Sequence, residues 1–124
     1  MAKITTFEEL HCWQNAKALV SKMYRDEALN ALHDWSTRDQ FRRAGLSVMN
    51  NIAEGFTRFS TKERIRFFEI AQSSAAEVKS MLYLFEEIGY ISSISIADYQ
   101  SKVDLTRNQI LAFIRHLNQL SRDV

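Results

Sequence analysis

The chain reads as an all-α protein, an up-and-down antiparallel four-helix bundle in a single domain spanning residues 1–124. Two observations predict this. The sequence has no proline and only three glycines, whereas all-β folds of this size usually need both residues at their turns, and an internal proline would break a helix. Ser or Thr followed three residues later by Asp or Glu also recurs at the head of every apolar-periodic run: Thr6 with Glu9, Ser36 with Asp39, Ser60 with Glu63, and Ser95 with Asp98. In each pair the hydroxyl can accept from an orphan backbone N–H, while the acid faces the positive end of the helix dipole.

The first helix, residues 6–25, places Phe7, Leu10, Trp13, Ala16, Val20 and Met23 on one face at three-and-four spacing. Residues 26–35 have weak periodicity and read as the longest connection. The second helix, residues 37–58, buries Phe41, Ala44, Gly45, Val48, Ile52 and Phe56, with Gly45 allowing close approach of a neighbour. A second line on it, Arg43, Ser47, Asn50 and Glu54, follows intervals of four, three and four residues. Ser and Asn each cost roughly half a kcal/mol in a helix interior, so this line, with Asn51 beside it, reads as a hydrogen-bonding network.

The third helix, residues 61–88, would be about 42 Å long. It carries Phe68, Ala71, Ala75, Val78, Leu82 and Phe85 as a bundle seam. A second row, Phe67, Ile70, Ser74, Met81, Leu84 and Ile88, lies beside the first. It is either a wide core face or a subunit interface, with Phe67, Ile70, Met81 and Leu84 as interface candidates. Gly89 supplies a left-handed stop, and Tyr90 and Ile91 fold back over the last turn. The fourth helix, residues 96–121, continues the seam with Tyr99, Val103, Thr106, Ile110, Phe113, Leu117 and Leu120. Short connections make successive helices antiparallel.

The sequence carries few residues in patterns that point to chemistry. Di-metal bundles need two Glu-x-x-His motifs, and Glu8 with His11 supplies one. His33 and His116 read as surface or partly buried polar residues, and Cys12 as a small buried hydrophobe without an activating cation. A phosphate-binding glycine loop, a dinucleotide fingerprint and the Arg-then-His pair of helical RNases are all missing from the sequence. No catalytic residue, metal or cofactor is expected. The lone cysteine favours a reducing cytoplasm, and no apolar run is long enough for a membrane span or signal peptide.

Charge is uneven although the net value is +1. Between Arg38 and Arg66 seven basic residues stand against three acidic ones, a local balance of +4 that leaves −3 for the rest. Arg38, Arg42, Arg58, Lys62 and Arg66 would crowd one end if the corner between the second and third helices is compact. There they would grip phosphates while Phe59 stacks on an unpaired base. The competing reading is an ordinary set of solvated charges.

The stretches FEELHCWQ (residues 7–14), QFRRAGLSVMNNIAEGFTR (40–58), FFEIAQSSAAE (67–77) and LFEEIGYI (84–91) resemble the four-helix-bundle family of 23S rRNA intervening-sequence proteins. Two departures are Ser73, where the family usually has Gly, and a shorter, proline-free link after the first helix. The resemblance implies a small non-enzymatic bundle that assembles as a ring-shaped homopentamer. A related branch, the accessory variability determinant of diversity-generating retroelements, partners a reverse transcriptase and binds nucleic acid through a basic surface. Carried over, Arg43, Ser47, Asn51, Glu54 and Gly55 match the family's RRA and S-x-x-x-NIAEG-F-x-R core and have a structural role. The chemistry of the line itself suggests that Arg43 pairs with a buried Glu54 or an equivalent acid, while Ser47 and the asparagines satisfy backbone groups. The expected function is an oligomeric binding module of the bacterial cytoplasm with RNA, DNA or a ribonucleoprotein as partner. The alternative is a protein–protein adaptor with no nucleic-acid affinity.

Overall fold

In the computed structural model, residues 3–122 are described. A 3-10 turn, Phe7–Glu9, precedes α1 (His11–Arg25), and a four-residue α2 (Glu27–Asn30) follows. The remaining helices are α3 (Trp35–Phe56), α4 (Thr61–Ile88) and α5 (Ser93–Arg122). The four long helices pack antiparallel. Contacts between α1 and α3, α3 and α4, α4 and α5, and α5 and α1 close a square around one core.

The seam expected on α4 is buried at every position, from Phe68 to Phe85. Phe41 on α3 meets Phe85 and Tyr99 edge-on, with ring centroids 5.0 and 5.7 Å apart. Burying each such side chain contributes roughly 1.5–3 kcal/mol. Three expected core positions on the outer turns, Phe7, Phe56 and Phe113, are only half-buried, and Leu120 is exposed, because the end of the bundle has no further layer to cover them.

Capping corrects several expected boundaries. Thr6 and Glu9 do form a capping box, but it closes only a 3-10 turn. Leu10 is extended and buried, and α1 starts after it. Ser60 accepts from the Glu63 N–H as expected. Ser36 and Asp39 do not open α3: Asp34 does, one carboxylate oxygen accepting from the Thr37 N–H at 3.1 Å and the other from the Tyr90 hydroxyl at 2.8 Å. Ser95 and Asp98 do not open α5 either. Ser92 accepts from the Ser95 N–H, and Asp98 is taken by the ammonium groups of Lys22 and Lys102.

Residues 26–35, read as a plain connection, contain α2 and the fully buried Leu29. Asp26 caps α2 through the Ala28 and Leu29 N–H groups, and its second oxygen accepts from the buried Tyr99 hydroxyl at 2.8 Å. Two aspartates, each capping a helix and holding a tyrosine, thus anchor this segment at both ends. A single helical turn is too short to show periodicity, which is why the pattern missed it.

The hydrogen bonds from Tyr90 and Thr37 hold the Asp34 carboxyl below its ordinary value, and those from Lys22 and Lys102 do the same for Asp98. Groups whose folded value is depressed contribute stability above their unfolded value of 3.8, and that contribution is lost as the pH falls through the folded value. The melting temperature should therefore be flat near neutrality and fall below about pH 4. Melts of Tyr90→Phe across the same range should show a shallower acid dependence, and an identical profile would remove Asp34 from the account.

Two glycines permit close helix approach. A Cβ at Gly45 would lie 2.6 Å from the Met23 sulfur, so α1 and α3 touch there as expected. At Gly55 it would lie 2.8 Å from the Cβ of Phe67, across the α3–α4 corner. Gly89 is left-handed (φ 75°), and the Tyr90 N–H returns to the Phe85 carbonyl at 3.0 Å. This is the six-to-one bond of a Schellman stop.

Candidate nucleic-acid interface

The corner between α3 and α4 is built by interlocking arginines. The Thr57 hydroxyl donates to the Glu54 carbonyl, and Arg58 reaches back one turn to the Glu54 carboxylate at 2.9 Å while its guanidinium lies 4.6 Å from the Phe67 ring centroid. Arg64 Nε donates to the Arg58 carbonyl at 2.6 Å, and its guanidinium covers the Phe56 ring at 5.7 Å. The turn is thereby rigid, and Phe59 projects from it fully exposed (102%). Lys62 and Arg66 are exposed and make no ion pair among the described residues.

The five cations grouped in the sequence reading do not share one end. Arg38 stands 18 residues before Phe56, the last residue of α3, about 27 Å from the corner at 1.5 Å per residue. It pairs with Asp39, near Tyr90 and the C-terminus of α4. Arg42 is buried (9% exposed): its Nε donates to the Met23 carbonyl and one terminal nitrogen to Asn30 Oδ1 at 2.7 Å, with the guanidinium 4.8 Å from the Tyr24 ring centroid. It is a tie between the end of α1 and α3, unavailable to phosphate. Antiparallel packing brings other residues, among them Lys3 and His116, to this end beside the corner's own Arg64.

Those residues border an open groove of about 780 Å³ at the same end of the bundle. Phe56, Phe113, Leu117 and Leu120 form its apolar walls, and Arg64 and His116 lie among them. Residues 3–10, 54–66 and 113–122 make up this end, with seven basic side chains against four acidic ones, a balance of +3. Residues 24–39 and 83–98 make up the other end, where two basic side chains face seven acidic ones, a balance of −5. The molecule is therefore an electrostatic dipole along the bundle axis. No count along the linear sequence revealed this, because one end is assembled from three separate segments and the other from two.

The polar network is smaller than expected: it keeps Ser47 and Asn51, adds Ser74, and leaves out the other three residues. Ser47 and Ser74 share a hydrogen bond of 2.7 Å between α3 and α4, and Asn51 Nδ2 donates to the Ser47 carbonyl at 2.8 Å and to its hydroxyl at 3.1 Å. Arg43 and Asn50 are exposed and outside it, and the exposed Glu54 pairs with Arg58 rather than Arg43. Eleven residues separate Arg43 from Glu54, about 16 Å along the helix, beyond the reach of a contact. Ser74 was legible only as part of an apolar row. Its partner across the interface is a tertiary fact.

That row divides. Ser74 is buried, Phe67 is half-buried beneath Arg58, and Met81 packs against the core, whereas Ile70 (39%) and Leu84 (45%) are exposed. Burial raises the Cys12 thiol to about 11. Among the described residues no three His, Cys, Asp or Glu side chains are placed to hold a metal ion, so Glu8 and His11 remain an isolated pair. His33 is exposed. No described helix is long and apolar enough to cross a membrane.

Fold and surface together define a small four-helix-bundle protein whose cations, together with an exposed aromatic ring, concentrate at one end. The family model of the 23S rRNA-intervening sequence proteins matches residues 8–112. The chain belongs to that family. Among curated proteins none matches it.

Proposed function

We propose that the protein is a non-enzymatic, oligomeric binding module that grips RNA, or the RNA of a ribonucleoprotein, through its basic end. The observation that carries this reading is the juxtaposition of unpaired Lys62 and Arg66 with the fully exposed Phe59 on a rigid turn. Cations position phosphates, and an exposed ring offers a stacking face that every base can use. Single-stranded DNA presents the same groups. The family resemblance supports a reverse transcriptase as one class of ribonucleoprotein partner, and the lone Cys12 supports the bacterial cytoplasm as the place of action.

Binding to structured RNA, followed by anisotropy across a salt series, tests the electrostatics. For a single strand, the slope of log affinity against log salt should drop by about 1.4 in a Lys62→Ala, Arg66→Ala double variant, two contacts at roughly 0.7 each. Arg38→Ala should leave it unchanged, since that residue lies at the acidic end. An unchanged slope in the double variant would refute this assignment.

Assembly is a separate part of the proposal, with Ile70 and Leu84 as the exposed members of the interface row. Five copies of a 14.4 kDa chain would give about 72 kDa by light scattering, and Leu84→Lys should lower the mass. The adaptor reading draws on the acidic end, where Trp35 (63% exposed) and Ile94 (86% exposed) are uncovered. Copurification of a protein partner after nuclease treatment, without RNA absorbance, would favour it.

A further inference from the structure

We propose that the groove beside the α3–α4 corner is a pocket for an unpaired nucleobase, so that the protein selects single-stranded or looped nucleic acid over duplex. This rests on the nucleic-acid reading above and specifies its ligand. The groove is walled by the Phe56 and Phe113 rings and by Leu117 and Leu120, a surface that a flat aromatic heterocycle can cover with either face. At about 780 Å³ it has room for a base with its sugar.

The polar groups on the walls distinguish a base from a plain apolar tail. Arg64 uses its Nε on the Arg58 carbonyl, while its two terminal nitrogens donate to no group among the described residues. Both remain free for the ring nitrogens and carbonyl oxygens that every base carries on its edge. His116 lies with its ring centroid 5.9 Å from that of Phe113, and Glu8 borders the groove as an acceptor for an exocyclic amine. An aliphatic chain would leave these donors and acceptors unused.

Charge and chain path agree with that occupant. Thr57 also borders the groove, and Phe59 projects from the turn two residues further on, next to Ser60 and Lys62. A strand with one base in the groove can lay a neighbouring base on Phe59 and its phosphates against Lys62. A duplex cannot do this, because its base faces are already stacked on each other and its edges paired.

The test uses fluorescein-labelled oligoribonucleotide, free or annealed to its complement, with the full-length chain. Phe59→Ala and Leu120→Glu both alter exposed side chains, so folding should be retained and is checked by circular dichroism. The single strand should bind about tenfold more tightly than the duplex, and each variant should lose about tenfold on the single strand with little change on the duplex. Equal affinity for the two forms, or single-strand binding unaffected by Leu120→Glu, would overturn the pocket while leaving the basic-end reading in place. Absence of binding to either form at low salt would overturn both.

Discussion

Arg42→Ala should destabilise the protein by about 2–3 kcal/mol, the range for losing charge-assisted hydrogen bonds and leaving a buried acceptor unmet. Arg42 sits 9% exposed between α1 and α3, donating to the Met23 carbonyl and to Asn30. The last carbonyls of a helix have no partner within it, and a cation there also opposes the negative end of the helix dipole. Met23 lies in the last turn of α1, so Arg42 fulfils both roles from the neighbouring helix. Asn30, at the end of α2, is tied in by the same guanidinium. Chemical denaturation should give a lower midpoint with an unchanged slope, while Arg38→Ala shifts stability by no more than about 0.5 kcal/mol. Equal small effects of the two substitutions would refute the capping role.

Gly55→Ala should cost about 1–2 kcal/mol even though alanine is the better helix former. The helix preference favours alanine by up to about 1 kcal/mol, but the added methyl would stand 2.8 Å from the Cβ of Phe67 and 3.1 Å from the Phe68 ring. The Phe67 atom is bonded directly to the backbone, so only a movement of α4 relieves the overlap, and overpacking of this kind costs about 1–3 kcal/mol. Gly45→Ala is the informative comparison. Its closest neighbour is the Met23 sulfur at 2.6 Å, part of a flexible chain that can turn aside. Gly55→Ala should therefore melt at a lower temperature than Gly45→Ala, and the reverse order would show that the α3–α4 corner yields more readily than the α1–α3 contact. The glycine of the NIAEG segment thus serves the close approach that forms the basic end.

Much of the fold was legible because helical periodicity is local. The three-four spacing from Phe68 to Phe85 identified the buried face of α4 residue by residue, and Gly89 followed by Tyr90 and Ile91 marked its end. The candidate site was legible in kind but not in membership. Phe59, Lys62 and Arg66 are exposed near the corner, yet the same reading included Arg38 and Arg42, which belong to the far end and to the interior. The distance to Arg38 was implicit in the length of its helix. The burial of Arg42 was not, since it depends on which carbonyl α1 presents across the interface.

By itself the sequence determined that the chain is helical, where the four long helices run and which stripe of each faces inward. These are properties of one helix at a time, set by a rise of 1.5 Å and a repeat of 3.6 residues. Only the tertiary structure decided which acid caps α3, because the Tyr90 hydroxyl holds Asp34 in place while Asp39 is left to Arg38. It also decided that Lys3 and His116 join the basic end and that Ser47 finds Ser74. Such pairings span tens of residues, and periodicity carries no information about what an antiparallel neighbour brings to the same height of the bundle.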